Sequence, residues 1–165
     1  MNLSTISSDN YPNSRIVLLR GLEDGFIFYT NYKSQKGREI EKNPKAHINF
    51  YWPSLERQVR IKGIINKTSA EVSDKYFLSR PLKSRIGAIL SVQSSEISLQ
   101  KDLQKELLEE INRNQSKEIQ RPNYWGGYCL EPLEIEFWQG KDARLHDRLL
   151  YERVNYEWIP KRLSP

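Results

Sequence analysis

The sequence predicts a mainly β protein, an antiparallel β-barrel with appended helices. Short β-branched and aromatic runs occupy both ends of the chain, and an amphipathic helical stretch separates them. Strands and helices do not alternate regularly, as they do in proteins built from β-α-β units. With 165 residues, 38% hydrophobic and 28% charged, the chain has the size and composition of one globular domain.

The first half of the chain is typical of antiparallel sheet. Asp24-Gly25 lies between two strand-like runs and favours a tight hairpin between them. Ser34 is a candidate N-cap for a short helix through Glu41, which Asn43-Pro44 would end. The predicted strands are 15–20, 26–30, 46–52 and 58–66.

The middle of the chain is predicted to be helical. Thr68-x-x-Glu71 is a capping-box pattern, and the helix that it opens would end near Pro81. A second helix is amphipathic, because apolar residues recur at four-residue spacing. Its stripe is Leu99, Leu103, Leu107 and Ile111. The helical insert thus covers about 69–115, and a polar linker runs from Asn112 to Gln120.

The last block of the chain returns to strands. Ile135 and Phe137 alternate with Glu134, Glu136 and Trp138, which predicts one apolar face and one polar or ligand-facing face. The predicted strands of this block are 128–130, 133–139, 148–154 and 157–163.

Charge and cysteine content narrow the classes of function. The net charge of +5 suits an acidic small ligand, whereas the basic residues are dispersed among acids without a nucleic-acid-binding motif. The single cysteine, Cys129, cannot form an internal disulfide and is expected to be a small buried residue. One cysteine and two separated histidines argue against a transition-metal site, and His47, in a strand without a charged cluster beside it, is expected to be structural. No apolar run approaches the roughly 20 residues of a membrane span and no signal peptide opens the chain, so we expect a cytoplasmic protein.

The segment 136–148 carries the strongest functional signal. Arg144, His146 and Arg148 lie within five residues of one another, shortly after Trp138. Arginine binds phosphate or carboxylate through a fork of donors, histidine exchanges protons near neutral pH, and tryptophan offers a flat apolar face. The combination fits a planar, anionic aromatic ligand such as a flavin or a pyridoxine phosphate, although composition alone also fits a solvated loop.

The run FWQG-x3-RLHDR at 137–148 resembles the C-terminal signature of the pyridoxamine 5'-phosphate oxidase family. Further segments resemble the family in the same order along the chain: 14–19, 28–31, 55–60, 76–81, 93–95 and 125–128. The resemblance implies a single FMN-binding split β-barrel domain over residues 1–165, with dimerisation and substrate strands at about 124–165. It also implies a homodimer with FMN at the subunit interface. The implied reaction is oxidation of pyridoxine or pyridoxamine 5'-phosphate to pyridoxal 5'-phosphate, with oxygen reduced to hydrogen peroxide.

The same resemblance implies roles for individual residues. The residues expected to bind FMN are Arg15, Ile16, Val17, Leu18, Leu19, Arg20, Tyr29, Thr30, Lys36, Gln58, Gln93, Ser94, Trp138 and Arg148. The residues expected to bind substrate are Arg20, Tyr76, Arg80, Ser84, Arg144, Leu145 and His146, and of these Arg144 and His146 are expected to be catalytic.

Elementary chemistry supports these roles. Phosphate dianions bind charge-assisted donors, which Lys36, Arg80 and Arg148 supply. Tyr76 and Arg80 lie four residues apart and would share one face of the predicted helix, with Ser84 beyond the break. From the residues alone, Tyr76 is equally a half-buried helix anchor, and Gln58 is more often an ordinary surface glutamine.

The chain departs from the family pattern at three places. Arg20 stands where the family commonly has lysine, so a fork of donors replaces a point charge at an expected substrate contact. Gln35 stands where the family usually has a basic residue, so one contact to the flavin phosphate is expected to be weaker. Family members usually carry a further N-terminal stretch that forms part of a lid, so we expect either that such a stretch precedes Met1 or that the site closes differently. Two alternatives therefore stay open: a non-catalytic FMN- or pyridoxal phosphate-binding protein, and a related flavin oxidase acting on another aromatic ring.

Overall fold

The computed structural model describes residues 1–114 and 118–165, and the chain divides into two compact units. Unit 1 comprises residues 1–28, 39–66 and 129–165, and unit 2 comprises residues 29–38 and 67–128. The helices of the described residues are α1 (Gln35–Lys42), α2 (Ala70–Ser79), α3 (Leu82–Leu90) and α4 (Leu103–Arg113). The strands are β1 (Asn2–Ile6), β2 (Pro12–Ile16), β3 (Phe26–Asn31), β4 (Lys45–Trp52), β5 (Arg57–Lys67), β6 (Trp125–Gln139), β7 (Asp147–Val154) and β8 (Glu157–Leu163).

The strands form a sheet in the order β2-β1-β4-β5-β6-β7-β8, and β3 pairs with β6 outside that path. The pairs β1–β2, β1–β4, β4–β5, β6–β7 and β7–β8 are antiparallel. The prediction of a mainly antiparallel β protein with helices is therefore confirmed, whereas closure of the sheet into a barrel stays a prediction.

Alternating side chains explain the core of unit 1. Leu3, Ile48 and Ile61 are fully buried, and they come from three neighbouring strands, β1, β4 and β5. Successive strand residues point to opposite faces, so every second residue reaches the core. Burying one such side chain contributes about 1.5–3 kcal/mol to stability.

The hairpin predicted at Asp24-Gly25 is reduced to one antiparallel bridge across the turn. β2 covers 12–16 rather than 15–20 and pairs with β1, whereas only an isolated bridge links Gly21 to Ile27. Gly25 has φ 146°, and a Cβ atom there would lie 2.4 Å from the carbonyl oxygen of Leu130. Glycine is needed here because β6 passes so close to the backbone, not because a two-residue turn reverses the chain.

Hydroxyl caps fix the starts of the first two helices. The backbone N–H of Gly37 donates to Oγ of Ser34 at 3.3 Å, which confirms Ser34 as the cap of α1. Ser69, rather than Thr68, caps α2, with the N–H of Val72 donating to its Oγ at 3.3 Å. Thr68 instead bonds the Ser73 hydroxyl at 3.0 Å.

The later helices differ from the sequence prediction. α3, directly after Pro81, was not predicted, and α4 begins only after its cap, Asp102. Leu99 therefore lies outside the amphipathic helix and is 99% exposed. The predicted linker from Asn112 begins inside α4, and its residues 115–117 lie outside the described residues.

The long strand β6 replaces two predicted strands and reverses their expected faces. Its 15 residues include Pro132, so the chain continues as strand through the position where a break was expected. Glu136 is 7% exposed whereas Phe137 is 46% exposed. The polar face of this strand is thus the more buried one.

No helix within residues 1–114 and 118–165 is long and apolar enough to cross a bilayer. The same residues hold no group of three or more histidine, cysteine or acidic side chains placed to bind a metal ion. Burial, together with the negative charges of Asp24 and Glu131, raises the pKa of the half-buried Cys129 thiol.

Candidate functional site

Arg15 is held by a buried glutamate in unit 1. Its Nη2 donates to Oε2 of Glu39 at 3.0 Å, and its Nη1 donates to the hydroxyl of Thr5. Burial alone would raise the pKa of Glu39, but hydrogen bonds from Thr5 and Asn13 and the charge of Arg15 bring it below its ordinary value. The carboxylate therefore stays ionised, and the guanidinium has a fixed orientation.

The segment that follows Arg15 is exposed on its apolar side. Ile16 is 74% exposed and Leu18 is 62% exposed. The N–H of Val17 donates to the carbonyl of Met1 at 3.0 Å, and the N–H of Arg20 donates to the carbonyl of Ile27 at 2.8 Å. These two hydrogen bonds anchor the segment at Val17 and Arg20, and the side chains of Ile16 and Leu18 stay exposed.

Gln58 and Trp138, which were predicted from separate motifs, line one cleft of unit 1. The cleft has a volume of about 360 Å³, and its other lining residues are Trp52, Arg57, Val59, Phe137, Gln139, Asp147 and Leu149. Its walls are largely aromatic and aliphatic, with few polar groups, which is the usual character of a site for a planar ligand.

The loop between β6 and β7 presents His146 and Arg144. The backbone N–H of Lys141 donates to Nδ1 of His146 at 3.2 Å, so in the neutral ring Nε2 carries the proton. The imidazole centroid lies 4.8 Å from the Trp138 ring. Ala143 and Arg144 both have positive φ, 53° and 61°, which is a costly conformation that must be held by its surroundings.

A second cleft of unit 1, of about 450 Å³, is lined by Leu145 and His146. Its remaining lining residues are Arg162, Leu163, Ser164 and Pro165. The RLHDR segment thus contributes one histidine that contacts Trp138 on one side and lines an open cleft on the other.

Arg148 is paired with a glutamate inside the same motif. Nε of Arg148 donates to Oε1 of Glu136 at 2.8 Å, while Nη1 of Arg60 donates to Oε2 of Glu136 at 3.0 Å. The hydrogen bond and charge of Glu136, against the opposing effect of burial, raise the pKa of Arg148. A buried carboxylate between two arginines satisfies its charge on both sides.

In unit 2 the structure brings together Thr30, Lys36 and Gln93. Lys36 is 8% exposed, and its Nζ donates to the hydroxyls of Thr30 and Ser34, each at 3.3 Å. Oε1 of Gln93 accepts from the hydroxyl of Thr30 at 3.1 Å. Ser94, next to Gln93, has φ 70° in a tight turn closed by the hydrogen bond from the N–H of Ser95 to the carbonyl of Val92, 3.0 Å long.

The predicted substrate residues of unit 2 gather around Trp125. The rings of Tyr29 and Tyr76 stack at 3.7 Å between centroids, and Trp125 stacks 6.2 Å from Tyr76. The guanidinium of Arg80 lies 4.7 Å from the centroid of Trp125, in cation–π geometry. Ser84 lies in the first turn of α3, where its N–H donates to the carbonyl of Pro81 at 2.8 Å.

One part of the sequence argument for these residues is wrong. Arg80 is the C-cap of α2 and has extended φ and ψ, so it does not share a helical face with Tyr76. The two side chains are related through Trp125 instead.

Sequence reasoning missed the residues that hold the predicted ones. Glu39 and Glu136 orient arginines through ion pairs. Trp125 packs against Tyr76 and Arg80. Glu136 was assigned to the polar face of its strand, and Trp125 to a matching segment, but neither was given a role. For Glu39 the sequence offers no signal, since its partner lies 24 positions away.

Comparison with known proteins shows the family of the chain. Residues 1–113 match the family model "Pyridoxamine 5'-phosphate oxidase", and residues 125–165 match "Pyridoxine 5'-phosphate oxidase C-terminal dimerisation region". The chain is 54% identical to a pyridoxine/pyridoxamine 5'-phosphate oxidase of Legionella pneumophila, with all of this chain and 77% of that protein aligned. A Leptospira interrogans protein of the same name is 50% identical, over all of this chain and 78% of that protein.

Solved structures show the same fold. PhzG from Burkholderia lata, in complex with tetrahydrophenazine-1-carboxylic acid, superposes with a TM-score of 0.91 at 32% identity, over 99% of this chain and 80% of that chain. A pyridoxamine 5'-phosphate oxidase-related, FMN-binding protein from Nostoc punctiforme superposes with a TM-score of 0.81 at 20% identity, over 99% of this chain and 87% of that chain. With two family models covering nearly the whole chain and relatives near 50% identity, this chain belongs to the pyridoxamine 5'-phosphate oxidase family.

Proposed function

We propose that this protein oxidises pyridoxine 5'-phosphate or pyridoxamine 5'-phosphate to pyridoxal 5'-phosphate, using FMN and reducing oxygen to hydrogen peroxide. The observation that carries the proposal is the β6–β7 loop, in which Arg144 and a tautomer-fixed His146 follow Trp138, within a chain 54% identical to a named oxidase. In this proposal residues 1–165 act as one FMN-binding split-barrel domain in the cytoplasm. They form a homodimer through the strands at about 124–165, with FMN at the subunit interface.

The donor set fits FMN. Lys36 is 8% exposed and places its ammonium among hydroxyls, and Arg148 is an oriented guanidinium, so both suit a phosphate or an electron-rich ring edge. Trp138 and Gln58 in one cleft offer a flat surface and an amide. The unit 1 residues assigned to the cofactor are Arg15, Ile16, Val17, Leu18, Leu19, Arg20, Gln58, Trp138 and Arg148, and those of unit 2 are Tyr29, Thr30, Lys36, Gln93 and Ser94.

The remaining residues bind and orient the substrate. Tyr76, Arg80 and Ser84 are assigned to its phosphate, and Arg20 and Leu145 to further contacts. Nε2 of His146 carries a proton in the neutral ring and so donates to an acceptor atom of the substrate. Arg144 supplies a permanent positive charge that attracts the anionic substrate and helps to orient it. The chemistry supplied by bound FMN is acceptance of a hydride equivalent from the exocyclic carbon and return of the electrons to oxygen.

A related flavin oxidase that acts on another aromatic ring is the second candidate. The likeness to PhzG, at 32% identity, favours it. A non-catalytic FMN- or pyridoxal phosphate-binding protein would use the same cofactor residues without turnover.

An anaerobic titration distinguishes these functions. FMN-loaded protein is mixed with pyridoxine 5'-phosphate without oxygen, and the visible absorbance of the flavin is followed. Bleaching that reverses on admitting air is the expected result. Bleaching only by a reduced phenazine carboxylic acid would support the second candidate, and a flavin that binds but is bleached by neither would support the binding protein.

A further inference from the structure

Glu136 is a buried carboxylate at the centre of a cation cluster. It is 7% exposed, although the next residue on the strand, Phe137, is 46% exposed. A carboxylate in such a position is costly unless each oxygen has a charged partner. Here each oxygen has one: Oε1 accepts from Arg148 of β7, and Oε2 accepts from Arg60 of β5.

The ion pair with Glu136 fixes the orientation of the Arg148 guanidinium. Nε is bonded to Glu136 at 2.8 Å, and Nη1 donates to the carbonyl of Ser164 at 3.1 Å. Within residues 1–114 and 118–165, these are the hydrogen bonds that the Arg148 side chain makes, and neither of them uses Nη2. A guanidinium already ordered in this way loses little conformational freedom when it binds an anion.

Two possible roles of the Glu136 carboxylate, as a charge and as a group that orients Arg148, predict opposite changes in FMN affinity when its charge is removed. Two arginines and one glutamate leave one excess positive charge, so removing the glutamate charge would strengthen the attraction for anionic FMN. If the carboxylate instead acts by orienting Arg148, removing it frees the guanidinium and weakens binding.

We propose that Glu136 is a positioning residue for FMN binding, which acts by holding Arg148 in its binding orientation. The inference rests on the proposed FMN site and adds to it a residue that does not itself contact the cofactor.

The test is a titration of the apoprotein with FMN, followed by quenching of flavin fluorescence at constant ionic strength. Glu136→Gln is compared with Glu134→Gln, which removes the same charge from the same strand and face. Glu134 pairs with Lys62 at 2.5 Å instead of with Arg148. We expect E136Q to raise the Kd of FMN about tenfold or more, the order of effect of losing a charge-assisted hydrogen bond, and E134Q to change it less than about twofold.

Two further variants separate orientation from a general loss of structure. Arg60→Gln removes the other partner of Glu136, and we expect the Kd of FMN to stay within about twofold of wild type. In an Arg148→Gln background, E136Q should add no further loss, because the residue through which it acts is already gone. If E136Q does not fold, Glu136→Asp keeps the charge but withdraws the carboxylate by one methylene from Arg148, to which it is now bonded at 2.8 Å, and it should raise the Kd as well.

Several outcomes overturn the inference. An unchanged or lower Kd for E136Q, a loss in R60Q equal to that in E136Q, or additive losses in the double variant would each do so, as would wild-type affinity in E136D. Wild-type protein that fails to bind FMN would overturn the proposed function and this inference together. Wild-type protein that binds FMN, with E136Q equal to E134Q, would overturn the inference alone.

Discussion

The two connections at the ends of β7 share a rare backbone conformation but use it differently. Residues 140–146 join β6 to β7 and contain Ala143 and Arg144, with φ of 53° and 61°. Residues 155–156 join β7 to β8, and both Asn155 and Tyr156 have positive φ, 50° and 68°.

In the two-residue connection the conformation is a requirement of the hairpin. Val154 pairs with Glu157, and a two-residue turn of this hand needs positive φ at both central positions. Tyr156 is 89% exposed, so its ring stabilises nothing buried. In the longer loop, by contrast, hydrogen bonds hold the conformation: the N–H of Gly140 donates to the carbonyl of Glu56 at 2.7 Å, and Lys141 donates to His146. A strained turn therefore indicates function only where neighbouring groups fix the side chains that it presents.

Substitutions in the two connections should differ most in their effect on the rate of flavin reduction. Arg144→Ala and His146→Ala are each expected to lower the rate of flavin reduction about a hundredfold or more, because each removes a group to which we assign a substrate contact. FMN content, measured by visible absorbance, should stay near that of wild type. Tyr156→Gly, in the other connection, is the matched control and should leave the rate unchanged. Full turnover in either loop variant would contradict the assigned roles.

Gly140→Ala should displace the longer loop. A Cβ atom there would lie 2.8 Å from Cβ of Glu56 and 3.2 Å from the ring of Trp138. We expect the free energy of unfolding to fall by about 1–3 kcal/mol, measured by denaturant titration, together with a slower rate of flavin reduction. Gly87→Ala makes the same chemical change inside α3, where nothing lies within 4 Å, and should raise stability by about 0.5–1 kcal/mol. Equal effects of the two substitutions would show that the contacts at Gly140 do not constrain the loop.

Tyr156→Gly should stabilise the protein slightly. Glycine adopts positive φ without the clash that a β-carbon causes, so we expect a gain of about 0.5–1 kcal/mol, offset in part by the greater freedom of the unfolded chain. A thermal unfolding curve measures it. A clear loss of stability would mean that the exposed ring contributes through its contact with Arg153, whose guanidinium lies 5.6 Å from the ring centroid.

The smallest predicted effect is on the stability of the fold at low pH. The hydrogen bond from Lys141, opposed by burial and aided by the charges of Lys141 and Arg162, lowers the pKa of Asp147 below 3.8. A depressed pKa means that the ion pairs at the base of the loop stabilise the fold above the ordinary pKa of Asp147. This contribution disappears as pH falls through the lowered value. Asp147→Asn should therefore be slightly less stable than wild type at neutral pH and equal to it in strong acid, as compared by unfolding at several pH values. A difference independent of pH would rule out this linkage.

Local patterns predicted the single elements of this fold well. β3, β4, β5, β7 and β8 lie where alternation and β-branched residues placed them, and Ser34 caps α1 as expected. Pairing was harder to predict, because the hairpin signal at Asp24-Gly25 is local, whereas the glycine there accommodates Leu130, more than a hundred positions along the chain.

The burial of charged residues also depends on which strands are neighbours, so it could not be predicted from the sequence. Glu136 is buried because the strands on either side of β6 both bring arginines to it, and only the strand order reveals this. His47 illustrates the point again. It was expected to lie away from charges, yet it pairs in register with Lys62. Burial and the charge of Arg60 lower its pKa against the opposing charges of Glu134 and Glu136.

The contact between Trp138 and His146 also makes the loop observable by light. Indole emission depends on the groups packed against the ring, and these two rings lie 4.8 Å apart. The emission of Trp138 in the flavin-free protein should therefore change whenever the loop moves His146 away from it, and Trp138→Phe should abolish that change. The protein thus carries an intrinsic optical reporter of loop position next to its candidate catalytic groups, which needs no added dye.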